Sequence, residues 1–152
     1  MTNPLITIEV TLTPNDGKPS GYQFVYASDS GLVTPDGNID LSYFDHEFVD
    51  LLFVLMPVDA IYPTFPPKGR DAVWFSKWRK HEPPPPPCPT SSGQVGSSFK
   101  KFSFPSPHEL RFTDHNNDNL RYVYALRCIV MPGEPLVVDD PVIINKIGSG
   151  SV

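Results

Sequence analysis

Trp74, Phe75 and Trp78 put three large aromatics within five residues, and Tyr62 stands a short way upstream. Aromatic faces stack on sugar rings, and Trp is enriched at the energetic centres of protein interfaces. The expected occupant of such a platform is a protein partner, above all a second copy of the chain, or else a carbohydrate or other small ligand. The same side chains would also serve to plug one open end of a β-sandwich. A second run, Asp114-His115-Asn116-Asn117-Asp118-Asn119, offers side-chain oxygens at alternate positions, as a calcium loop does. Calcium takes about six to eight oxygens, and the helix-loop-helix form needs Gly sixth and Glu twelfth. Here those places hold Asn119 and Ala125. What remains is an ion at a strand end, with Asp139 or Asp140 added, or a turn rich in residues that tolerate left-handed backbone. Asp114, Asn116 and Asp118 are therefore the metal candidates.

Other chemistry finds little footing. His46, His81, His108 and His115 lack the short spacing of a zinc site, and Cys88 and Cys128 stand alone. No Gly-x-Ser-x-Gly elbow and no glycine-rich phosphate loop ahead of a helix occur. The expectation is a non-enzymatic protein without a cofactor. Lys80 to Pro86 fits a basic-x-x-Pro-x-x-Pro ligand pattern, but five prolines after a lysine match it automatically, and a stiff exposed loop explains the run as well.

Seventeen acids against twelve bases give a net charge of −5. Nucleic-acid binding draws most of its affinity from phosphate neutralisation, so this balance argues against it. The cluster Lys77, Arg79, Lys80 reads as a solvated loop. Met1 to Leu12 has neither the basic start nor the unbroken apolar stretch of a secretory leader. The longest apolar run, Leu51 to Met56, is far short of the roughly 18 residues that cross a bilayer. Two cysteines make no disulfide framework and suit a reducing cytoplasm, although a single bridge between them stays open.

Nineteen prolines and ten glycines in 152 residues oppose a helical bundle, since interior proline costs a helix about 3 kcal/mol. Strict alternation marks Leu5 to Leu12 as a strand, with Ile6, Ile8, Val10 and Leu12 on one face. Pro14 to Gly17 turns the chain into a second strand at Tyr22 to Ala27, and Pro35 to Asn38 forms the next turn. Glu47 to Met56 fits a helical face too, but its β-branched and aromatic content favours a buried strand. Ala72 to Trp78 is an edge strand or a helical turn. Further strands are expected at Phe99 to Phe104, Glu109 to Thr113, Leu120 to Val130 and Pro141 to Ile147. On Leu120 to Val130, the tyrosines face one way and Arg121 and Arg127 the other. About seven to nine short strands imply an all-β, single-domain antiparallel sandwich over residues 1–147. A long proline-rich insertion at about 79–98 interrupts it, and residues 148–152 form a flexible tail.

The last third carries a recognisable pattern: Leu110-x-Phe112-x-Asp114-x-Asn116, then Tyr122-x-Tyr124-x-Leu126, then Asp140-Pro141-Val142-Ile143-Ile144-Asn145. It looks like the end of an immunoglobulin-like sandwich, where a tyrosine hydroxyl commonly bonds backbone at a sheet corner. Tyr122 is the candidate for that place. With Glu134-Pro135 and Asp140-Pro141, the chain resembles the DP-EP family of uncharacterised bacterial proteins. It is more distantly similar to bacterial inclusion-body proteins of the PixA/AidA type. The resemblance implies a fold and no chemistry.

Overall fold

A computed structural model describes residues 2–78, 98–117 and 120–146. Most of the proline-rich insertion, Cys88, Asp118 and the C-terminal tail lie outside them. Among the described residues the chain is mostly β, with one four-residue helix and two mixed sheets. Ten strands occur among the described residues: β1 Leu5–Pro14, β2 Tyr22–Ala27, β3 Ile39–Asp40, β4 Phe48–Leu55, β5 Val73–Trp78, β6 Phe99–Ser103, β7 Glu109–His115, β8 Arg121–Cys128, β9 Val137–Asp139 and β10 Val142–Ile144. The helix α1, Gly69–Ala72, leads directly into β5, so the ambiguous stretch is a helical turn followed by an edge strand.

The first sheet runs β2-β1-β4-β7-β6 and the second β3-β10-β8-β5, with β9 continuing beside β8. The expected all-antiparallel pairing is corrected in two places: β1 lies parallel to β4, and β3 parallel to β10. A hairpin joins only antiparallel neighbours, whereas a parallel neighbour needs a crossover. Here β2 returns along one side of β1, and the chain crosses to the second sheet at β3. It re-enters the first sheet on the other side of β1 as β4.

Period two settles β4. Val49, Leu51, Phe53 and Leu55 are fully buried, and Phe48, Leu52 and Val54 on the opposite side are partly so. Between the sheets Phe53 of β4 meets Phe112 of β7 and Tyr124 of β8, with ring centroids 5.8 and 5.7 Å apart. β6 departs from period two. Its register slips between Lys100 and Ser103, and Lys101 takes φ 59°. A bulge of this kind adds one residue and re-aims the side chains beyond it. It turns both Phe99 and Phe102, three positions apart, toward Phe75 and Phe112.

The Pro35–Asn38 turn needs its glycine. Gly37 has φ 88°, and a Cβ there would come within 2.6 Å of the Tyr26 ring. Its carbonyl accepts a 2.5 Å hydrogen bond from the Tyr124 hydroxyl. This bond fastens β8 to the turn across 87 residues of chain. The Tyr122 hydroxyl lies 2.9 Å from Ser98 Oγ in a buried contact.

Candidate functional site

Alternation along β5 divides the aromatic cluster. Phe75 turns inward, is 5% exposed and stacks on Phe99 at 3.9 Å, so it belongs to the core and to no platform. Trp74 and Trp78 point to the opposite, outer face and are partly buried. Trp74 pairs across from Ala125 and Trp78 across from Arg121. The outward side chains of β8 meet them there: the Arg127 guanidinium lies 3.6 Å from the Trp74 ring centre, and that of Arg121 4.2 Å from that of Trp78. Each stack draws a cation onto the electron-rich ring face, worth about 0.5–1 kcal/mol where partly exposed. The Trp74 indole also donates to the Arg70 carbonyl at 2.7 Å, and Arg127 donates to the Asp71 carbonyl at 2.8 Å. These bonds tie the Trp74–Arg127 stack to α1 and hold that ring against the sheet. Val123 and Ala125 lie between them and are buried although they point away from the core.

Tyr62 lies outside this strand pair. It is half exposed and stacks on the His108 ring at 3.4 Å, while His108 Nδ1 sits 2.8 Å from the Pro63 carbonyl. The structure therefore joins Trp74 and Trp78, and separates Phe75 and Tyr62 from them.

Two of the metal candidates lie in a buried joint. Asp114 and Asn116 are fully buried. The Asn116 amide donates to the carbonyls of Leu41, Phe44 and His46, and its oxygen accepts from the Lys146 backbone N–H at 2.6 Å. Asp114 Oδ1 accepts from Asn145 at 3.0 Å. This joint satisfies buried backbone between the loop after β3 and the end of β10, as buried polar groups require. Among the described residues no group of three or more His, Cys, Asp or Glu side chains is arranged to hold a metal ion. Asp118 lies outside them.

An open cleft of about 680 Å³ lies between β2, the Pro35–Asn38 turn and β9. Asp36, Asp139 and Asp140 line it, together with Lys18 and Tyr22. Asp139 accepts a 2.7 Å hydrogen bond from the Tyr26 hydroxyl. Burial pushes the Asp139 carboxyl above its usual range, against the opposing effect of the tyrosine bond. Burial likewise raises Tyr26, Tyr124 and the free Cys128 thiol, which keeps all three neutral. Sequence reasoning passed over this cleft because its walls come from three distant segments. The Arg–Trp stacks had a signal: Trp74 and Trp78 are four apart, Arg121 and Arg127 six apart, and even spacing shares a strand face.

No protein-family model and no curated protein matches the chain. Among the described residues no helix is long and apolar enough to cross a membrane.

Proposed function

We propose that the chain is a non-enzymatic, immunoglobulin-like β-sandwich of the kind the DP-EP resemblance implies, acting in the bacterial cytoplasm by association with further copies of itself. The order β4-β7-β6 in one sheet and β10-β8-β5 in the other supports the fold reading. It follows the B-E-D and G-F-C orders of immunoglobulin-like domains, with β1 and β2 added beside β4. The observation that carries the functional reading is the pair of Arg–Trp stacks on the outer face of β5 and β8. Trp and Arg are the residue types that concentrate binding energy at protein interfaces. Ordering Trp74 and Arg127 in advance through the Arg70 and Asp71 carbonyls lowers the entropy lost on docking. Guanidinium groups over the rings oppose a sugar-stacking role, because a sugar would have to displace them.

Sedimentation velocity at micromolar concentration tests this reading. The wild type is expected to form oligomers, and the Trp74→Ala/Trp78→Ala pair to sediment as monomer. A monomeric wild type whose tryptophan fluorescence changes on titration with sugars would replace this reading with a carbohydrate-binding one.

A further inference from the structure

Charge is sorted along the chain more sharply than the net value suggests. Residues 1–66 carry nine carboxylates and a single lysine, whereas residues 67–127 carry ten bases and five carboxylates. The fold places the basic part of this pattern along one edge and gathers Asp36 with Asp139 and Asp140, from the C-terminal end, on the opposite side. β5 and β6 end their respective sheets, and the Phe75–Phe99 stack sets them side by side. Their charged residues are Lys77, Lys100 and Lys101, all exposed, with no acid in either strand. Across the molecule β2 ends the first sheet, and the Tyr26–Asp139 bond ties it to β9. The cleft on that side presents Asp139 with the exposed Asp36 and Asp140, three carboxylates against the single base Lys18. The salt bridges among the described residues join Asp50 to Arg111, Glu47 to His115 and Asp45 to Lys146. Neither the three edge lysines nor Asp36, Asp139 and Asp140 take part in those bridges.

We infer that copies of this chain associate head to tail, the basic β5/β6 edge of one seating against the acidic β2/β9 cleft of the next. The inference rests on the self-association proposed above and adds its direction. The occupant of the cleft is a second copy because the chain itself carries the complementary charge next to the Arg–Trp face. Contact between two different patches is heterologous, so it propagates into rings or open chains rather than stopping at a symmetric pair. Opposite fields also speed encounter and set register, and salt screens them.

The test uses two charge-reversed variants of the full chain and their mixture. Lys100→Glu/Lys101→Glu has two acidic ends, and Asp36→Lys/Asp140→Lys has two basic ones. Each alone is expected to sediment as monomer where the wild type assembles, and the equimolar mixture to assemble again. Raising salt from about 0.05 to 0.5 M is expected to weaken wild-type assembly about tenfold or more, since the Debye length shrinks severalfold. The salt arm needs no variant and stands even if one misfolds. A wild type that is monomeric throughout overturns self-association itself. A wild type that assembles but ignores salt, or folded variants that assemble alone or fail to assemble together, overturn the head-to-tail contact only.

Discussion

The two long edges of the molecule are closed by different chemistry. Between β5 and β6, Phe75, Phe99, Phe102 and Phe112 pack ring on ring at centroid distances from 3.9 to 6.4 Å. Between β2, the Pro35–Asn38 turn and β9, closure depends on hydroxyls: Tyr26 to Asp139 and Tyr124 to the Gly37 carbonyl. Ring packing is non-directional and scales with area removed from water. Hydroxyl bonds in a buried setting are directional, and losing one partner strands the other. The aromatic edge therefore fails by losing volume, and the polar edge by losing geometry.

The sharpest break in that contrast is Phe112→Ala, which removes the ring shared by Phe53, Phe75, Phe99 and Phe102. It is expected to cost about 3–5 kcal/mol in urea unfolding. A cost near 1 kcal/mol would mean that the aromatic edge is not packed as described. Gly37→Ala probes the polar edge by geometry alone, combining positive φ with a clash against Tyr26. About 2–4 kcal/mol is expected, measured the same way. Tyr124→Phe deletes one hydroxyl, orphans the Gly37 carbonyl and should cost about 1–3 kcal/mol.

Smaller effects come from pH, and two carboxylates act in opposite senses. Burial alone would raise Asp50, but hydrogen bonds from Arg111, Thr113 and Asn3 outweigh it and hold the carboxyl below its usual range. Its folded form binds the proton more weakly than the unfolded chain. Its contribution is present above the unfolded value of about 3.9 and lost as pH falls through the folded one. Asp139 is raised by burial, so its contribution is full below about 3.9 and lost as pH rises through the folded value. Urea midpoints from about pH 3 to 6 should lose their acid-side slope in Asp50→Asn and rise at the upper end in Asp139→Asn. Unchanged profiles in both would refute the pairing described for these groups. Arg127→Gln removes both the partly exposed stack on Trp74 and the bond to the Asp71 carbonyl and is expected to cost about 1–2 kcal/mol. The same change should lower oligomer content, which separates surface function from folding.

Much of the fold was legible because strands with one buried face must alternate. β1, β2 and β8 reveal themselves by Ile6 to Leu12, by Phe24 and Tyr26, and by Tyr122 to Cys128. The glycine turns at Gly37 and Gly133 follow from positive φ, which few other residues tolerate. The bulge at Lys101 was hidden: the odd spacing of Phe99 and Phe102 marks an irregularity but not which side absorbs it. The calcium-like spacing of Asp114 and Asn116 was legible as oxygen-rich, yet spacing cannot say whether oxygens face an ion or buried backbone. Within the aromatic cluster, alternation alone separates Phe75 from Trp74, but choosing which face is the core requires the second sheet.

By itself, then, the sequence determined a proline-punctuated β chain, its main strand faces and a concentration of aromatics before the proline-rich stretch. Those are local properties, written in side-chain period and backbone preference within a few residues. Only the tertiary structure decided the two parallel pairings, the Arg–Trp stacks, the Tyr26–Asp139 closure and the placing of lysines and aspartates on opposite edges. Each of these joins segments tens of residues apart. Their proximity is set by how two sheets bury one shared core, and no local pattern encodes that.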